Sequence, residues 1–231
     1  MAVVPLEALR TLQRLIGRLN TGPDLPSTLQ AVVDGVVEGL DFGVAVVNVV
    51  HDDRNVEVVA VSGPPDVSDT LLGNRVELSC WEDMLDRAED WGPLRYLPHT
   101  LADLDDIVSW VPDVDASDDP ESWHPLDSLF APLYSVNGDL VGVLSVDLPV
   151  SGMRPDPTQC ELLGMYAVQA GIAIDNARLA EKLRASENSF RMAFDNAPVG
   201  MSLVDFHPDS LGRFLRCNEA ICRMLGYSRH D

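Results

Sequence analysis

"PLYSVNGDLVGVLSVDLP" (132–149), followed by "LLGMYAVQAGIAIDNARL" (162–179), decides the fold of this chain. The first stretch is two apolar runs joined at Asn137-Gly138. That dipeptide accepts the positive φ angles of a type I′ turn, so the stretch predicts a β-hairpin. The second stretch lies within an unbroken helical pattern over 154–194. Asp156 is the expected N-cap, Pro157 takes the first helical position, and Gln159 completes a capping box. Leu162, Met165, Gln169, Ile172, Asn176, Leu179, Leu183, Ser186 and Phe190 follow alternating steps of three and four. This is a heptad seam with polar members, in which an Asn sets register at some cost in stability. Residues 158–174 are expected to cover a sheet of their own chain, and the helix beyond Asn176 to meet a partner helix.

Working outward, the N-terminal side repeats the pattern of helix and hairpin. "LEALRTLQRLIGRLN" (6–20) places Leu9 and Ile16 on one helical face. "DLPSTLQAVVDGVVEGL" (24–40) predicts a second helix with Leu29, Val32, Val33, Val36, Val37 and Leu40 apolar. "FGVAVVNVV" (42–50) reads as a buried strand, and "VEVVAVS" (56–62) pairs with it across the polar turn "HDDRN". Residues 64–125 read as irregular, rich in Pro, Asp and Trp, with one helix in "SCWEDMLDRAE" capped by Ser79.

The 231 residues carry 37 acidic and 16 basic side chains, a net charge of −21. Such a surface repels phosphate backbones and anionic head groups, which argues against nucleic-acid and membrane-surface partners. Cys80, Cys160, Cys217 and Cys222 include no CxxC pair, as in a reducing cytoplasm. No signal peptide or membrane-length apolar run is visible.

The order helix, helix, hairpin, irregular middle, hairpin, long helix resembles a bacterial GAF domain, on the residues quoted at the outset. The resemblance covers roughly residues 6–180. "SFRMAFDNAPVGMSLVD…FLRCNEAICRMLGYS" resembles the start of a PAS domain. Phe190 and Phe194 fall on its entry helix, Asn196 to Gly200 on the turn, Phe214 to Cys217 on the second strand, and Asn218 to Leu225 on the next helix. The implied architecture is α+β: a GAF-like antiparallel sheet flanked by helices, a long C-terminal signalling helix, and a truncated PAS-like start. The expected organisation is a dimerisation helix over 1–22, a GAF domain over 23–180, a helical linker over 181–193 and an incomplete PAS domain over 194–231. A whole PAS domain needs about 100 residues, within the usual domain range, so the chain reads as the N-terminal piece of a longer protein.

No catalytic constellation is legible. There is no phosphate loop, no GxSxG elbow and no HExxH. "DVDASDDPES" (113–122) begins like a calcium loop with Asp113, Asp115 and Ser117, but Asp118 stands at the glycine position and His124 at position twelve. A solvated acidic loop is the simpler reading, and no metal site is expected. Cys80 lacks the neighbouring His of bilin attachment, and the cyclic-nucleotide signature is missing. His99 and His124 are read as structural rather than haem ligands. Haem, bilin and cyclic nucleotides are therefore disfavoured as cofactors. No Lys or Arg occurs between Arg95 and Arg154, so a phosphate ligand would have to rely on backbone amides alone. Aromatics serve core or pocket equally. Core packing is the default for Trp81, Trp91, Tyr96, Trp110, Trp123 and Phe130. If a pocket exists, it is expected between the sheet and residues 79–125, walled by Trp81, Trp91, Tyr96 and Phe130, for a neutral or apolar ligand.

The resemblance implies a cytoplasmic, non-enzymatic sensory and dimerisation module. It would be a homodimer built on Leu9, Ile16, Ile172, Asn176, Leu179 and Leu183, and would signal to an output domain in cis. A diguanylate cyclase, and so cyclic-di-GMP signalling, is favoured over a histidine kinase or phosphatase. A ligand-free dimerisation scaffold is the alternative. A GAF-fold methionine-sulfoxide reductase ranks last, because only Cys80 is expected near the pocket.

Overall fold

A computed structural model describes residues 24–102, 110–117, 119–207 and 209–226. The helix expected over 6–19, with Leu9 and Ile16, lies outside the described residues, as does Asp118 of the acidic loop. The described part divides into two compact units, on either side of the Ala177–Arg178 bond.

In the first unit, α1 (Leu25–Leu40) starts where the Asp24 carboxylate accepts from Ser27 N at 3.4 Å and Ser27 Oγ at 2.8 Å. That satisfies donors that the first helical turn leaves without partners. Its apolar positions Leu29, Val32, Val33, Val36 and Leu40 are buried. Strands β1 (Phe42–Val50) and β2 (Asn55–Ser62) form the first hairpin. The segment expected to be irregular is so over its described residues beyond Leu97, but is largely regular over 65–97. It forms α2 (Pro65–Leu71), β3 (Arg75–Glu77), α3 (Leu78–Arg87), β4 (Glu89–Trp91) and β5 (Leu94–Leu97). These elements are three to ten residues long, too short for periodicity to announce them. Ser79 lies inside α3 and does not cap it: Glu77 is the N-cap and makes no side-chain cap bond.

The second hairpin, β6 (Ser128–Tyr134) and β7 (Leu140–Pro149), forms as expected, but with a different turn. Gly138 N donates to Ser135 O at 3.0 Å, and Ser135 N to Asp139 O at 2.9 Å. Only Gly138 takes a positive φ, +87°. This is the three-residue loop with a left-handed glycine rather than a type I′ turn. All pairings in the seven-stranded sheet are antiparallel, in the order β3-β2-β1-β7-β6-β5-β4. The central strands β1 and β7 run in register from Phe42 opposite Pro149 to Val49 opposite Gly142. β1 is covered on both faces, which is why it reads as a continuous apolar run.

Helix α4 (Pro157–Asn196) carries the expected capping box: Gln159 N donates to Asp156 Oδ1 and Asp156 N to Gln159 Oε1, both at 2.9 Å. On one face of the sheet, α1 and the first half of α4 share a core with β1 and β7 that includes Leu29, Val36, Val47, Leu144, Leu163, Tyr166 and Ile174. The other face packs against α3, through Trp81, Met84, Phe130 and Val143, and against α2, through Val46, Val58, Val67 and Leu71. Each such large side chain contributes about 1.5–3 kcal/mol by leaving water. Gly171 lets α4 approach the sheet, because a Cβ there would lie 2.7 Å from Tyr134 O. Within the seam, Leu162 is buried in the sheet-facing core. Ile172 is half-buried, and Asn176, Leu179 and Leu183 are exposed.

The second unit holds the rest of α4, the antiparallel pair β8 (Ser202–Val204) and β9 (Phe214–Cys217), and α5 (Glu219–Leu225). Asn218 is fully buried. Its Oδ1 accepts from Met201 N at 2.9 Å and Ile221 N at 3.0 Å. Its Nδ2 donates to Val199 O at 2.8 Å and Phe194 O at 3.1 Å. One side chain thus caps α5 and ties it to the end of α4 and the start of β8.

Candidate functional site

A cavity of about 160 Å³ lies on the α2/α3 face of the sheet. Strand alternation sets its floor. Val44, Val46 and Asn48 project from β1 into it, and Ser145 and Asp147 from β7. Their neighbours Ala45, Val47, Leu144 and Val146 belong to the opposite core. Trp81 and Met84 of α3, Leu97 of β5, Trp110 and Phe130 complete most of the wall. Trp110 is held over α2 by its Nε1, which donates to Asp66 Oδ2 at 2.9 Å.

Two of the four expected aromatic walls, Trp81 and Phe130, line this space and meet edge to face, with ring centroids 5.5 Å apart. Trp91 and Tyr96 do not line it. They stack on each other at 4.3 Å and pack in the core on the other face. The reason is the two-residue period of β5, which turns Leu97 toward the cavity and Tyr96 away from it.

The polar floor is only partly satisfied. Asn48 Nδ2 donates to Val143 O at 3.1 Å and to Ser145 Oγ at 3.2 Å. Asn48 is 4% exposed, and among the described residues its Oδ1 accepts no hydrogen bond. Asp147 Oδ1 accepts from Trp123 Nε1 at 2.7 Å and Leu148 N at 2.6 Å, while its Oδ2 has no partner among the described residues. Burial pushes the Asp147 carboxyl up to about 6, against the pull of those two donors. Among the described residues Trp81 Nε1 is enclosed without an acceptor.

Beside the cavity, the buried Asp127 carboxylate collects donors from three segments. Oδ2 accepts from Tyr96 Oη at 2.7 Å and His124 N at 3.1 Å. Oδ1 accepts from His99 N at 2.8 Å and faces His99 Nδ1 at 3.1 Å. Burial pushes this carboxyl up, but the donors from Tyr96, His99 and His124 outweigh it and hold it below the usual carboxylate range. Burial and the same carboxylate push the Tyr96 hydroxyl up.

The ligating atoms of His99, His124 and Asp127 lie within 4.8 Å of one another, close enough to suggest a metal. The rings argue otherwise. The imidazoles stack at 3.8 Å, 22° from parallel, so their in-plane lone pairs do not converge on one point. His124 Nδ1 accepts from Leu126 N at 3.1 Å, which leaves the proton on Nε2 and that nitrogen without a lone pair. The group is a structural knot that fixes the 124–128 lead-in to β6. Sequence reading missed Asn48, Asp127, Ser145 and Asp147. A polar residue inside an apolar strand was the available signal for Asn48, Ser145 and Asp147. The four cysteines are free, and none of them lines the cavity.

Residues 22–175 match the family model described as GAF domain, and residues 188–231 that described as PAS domain. Over 100 residues the chain is 32% identical to the methyl sulfide methyltransferase-associated sensor of Methanosarcina acetivorans, a match covering 43% of this chain and 10% of that protein. The chain thus spans about a tenth of that relative's length. Among solved structures, the GAF domain of a phosphoenolpyruvate-protein phosphotransferase from Coxiella burnetii superposes with a TM-score of 0.54 at 18% identity, covering 78% of this chain and 99% of that one. The phycocyanobilin-bound GAF domain of a cyanobacterial phytochrome gives 0.53 at 16% identity, covering 78% and 98%. At these identities the likeness is one of fold. Among the described residues no helix is long and apolar enough to cross a membrane.

Proposed function

This chain belongs to the GAF domain family, and from that premise we propose that it is the sensory and dimerisation part of a cytoplasmic signalling protein. The GAF domain takes a small molecule into the cavity on the α2/α3 face. Helix α4 carries the change toward the PAS-like unit and an output domain in cis, a diguanylate cyclase before a histidine kinase or phosphatase. The residues themselves act by binding, not by catalysis.

The observation that carries this reading is the two-sidedness of β7. Ser145 and Asp147 line the cavity, while Leu144 on the same strand shares a core with Leu163 and Tyr166 of α4, and Val146 borders both. A ligand that shifts β7 therefore acts on the seat of the helix. It does so only by its difference in affinity between two states, typically ~1–3 kcal/mol. The sensor relative, and the order of GAF followed by PAS, support the same reading. Exposed Leu179 and Leu183 support a homodimer through α4, with Ile172 and Asn176 in the same seam.

The test is hydrogen exchange with benzene-sized neutral and charged fragments. Binding is expected to slow exchange in both β7 and residues 157–177 of α4. Binding without a change in α4 would remove the signalling claim. Failure of every fragment to bind would leave the ligand-free scaffold.

A further inference from the structure

The cavity is unusual in the sign of its unpaired groups. Among the described residues its lining contains no Lys, Arg or His, and the charged groups there are Asp127 and Asp147. Asp127 is saturated by donors. Asp147 is not: both of its bonds engage Oδ1, and among the described residues Oδ2 has no partner. Among the described residues Asn48 Oδ1 is a second acceptor without a partner, in a side chain 4% exposed on the central strand. Its assignment follows from Nδ2, which must be the nitrogen because it meets a backbone carbonyl. Ser145 Oγ accepts from Asn48 Nδ2 and keeps its own proton to give. Among the described residues the wall also holds an unpaired donor, Trp81 Nε1, which is enclosed. Among the described residues the floor therefore offers two open acceptors, one of them a carboxylate, and the Ser145 hydroxyl, beneath the aromatic faces of Trp81, Trp110 and Phe130.

A half-buried carboxylate with an open oxygen is costly unless a donor or cation meets it. Aromatic faces attract cations as well. An apolar cavity of about 150 Å³ suffices for benzene, so the 160 Å³ here limits the ligand to about that scale. We infer that this cavity selects a small organic ammonium ion, whose N–H groups bond Asp147 Oδ2 and Asn48 Oδ1 and whose apolar part lies among Trp81, Trp110 and Phe130. This rests on the reading of the cavity as the ligand site and names the ligand's class, replacing the neutral or apolar ligand expected from composition.

The test compares benzylammonium, benzyl alcohol, toluene and benzoate by tryptophan fluorescence titration at constant ionic strength, on the whole chain and on Asp147→Asn. The variant keeps an acceptor for Trp123 and removes the charge. Benzylammonium is expected to bind at least ten-fold more tightly than benzyl alcohol, benzoate not to bind, and Asp147→Asn to abolish the preference. Equal or tighter binding of benzyl alcohol or toluene would overturn the ammonium inference while leaving the cavity a ligand site. A preference unchanged in Asp147→Asn would overturn it too, by assigning the preference to the overall negative charge. Binding of none of the four would remove the ligand-site reading itself.

Discussion

Trp123 Nε1 donates to Asp147 Oδ1 at 2.7 Å, so the tryptophan that closes one end of the loop before β6 holds an ionisable group of β7 in place. Asp147 and Asp127 stand next to the same cavity, yet their titrations are displaced in opposite directions. The balance of burial against donors decides it. Two donors on one oxygen do not offset burial at Asp147, whereas the donors spread over both oxygens of Asp127 do.

The Asp147 carboxyl is raised to about 6 in the folded state, so the native protein binds more protons than the unfolded chain between the unfolded value and about 6. Its contribution to stability is full at low pH and is lost as pH rises through that window. Asp147→Asn should match the parent near pH 4 and exceed it at pH 7 by at most about 3 kcal/mol, at 1.36 kcal/mol per unit. Urea unfolding at several pH values reads this directly, and equal stabilities at pH 7 would refute it.

Asp127 has the opposite sign. Its depressed pKa contributes stability above the unfolded carboxylate value, and that stability is lost as pH falls through the folded value. Asp127→Ala leaves the Tyr96 hydroxyl and the His99 and His124 amides without an acceptor, and should cost ~3–5 kcal/mol at neutral pH. Tyr96→Phe removes one donor and should cost ~1–2 kcal/mol. A Tyr96→Phe loss equal to that of Asp127→Ala would show that the carboxylate is not the hub.

Gly171 reports on the seat of α4. Gly171→Ala forces a Cβ toward Tyr134 O, a backbone atom that a side-chain rotation cannot move. A loss of ~1–3 kcal/mol is expected from overpacking, against a gain of ~1 kcal/mol from helix propensity if α4 stood free. The sign of the change in melting temperature decides between a seated and a free helix.

The homodimer proposal predicts that Leu179→Glu combined with Leu183→Glu converts a dimer to a monomer in light scattering. Both side chains are more than half exposed in the single chain, so the double variant should keep its fold by circular dichroism. An unchanged dimer mass would remove the α4 seam from the interface.

Much of this architecture was legible because its determinants are local. Asp156 and Gln159 are three residues apart and close a capping box whatever surrounds them. Gly138 supplies the positive φ that joins β6 to β7, although the turn around it is not the one its dipeptide suggested. Asn218 at the start of α5 and Gly226 at its end punctuate a helix that chain position alone announces. The apolar run of β1 declared a buried strand. Tertiary structure alone decided the site. That Trp91 and Tyr96 would turn away from the cavity depended on strands of three and four residues, too short to show a period in the sequence. Asp127 meets Tyr96 across 31 residues and His99 across 28, and Asp147 meets Trp123 across 24. No spacing rule links positions so far apart. Pairing of β5, β6 and β7 brings them together, and the balance of burial against donors then sets the direction in which each carboxyl is displaced.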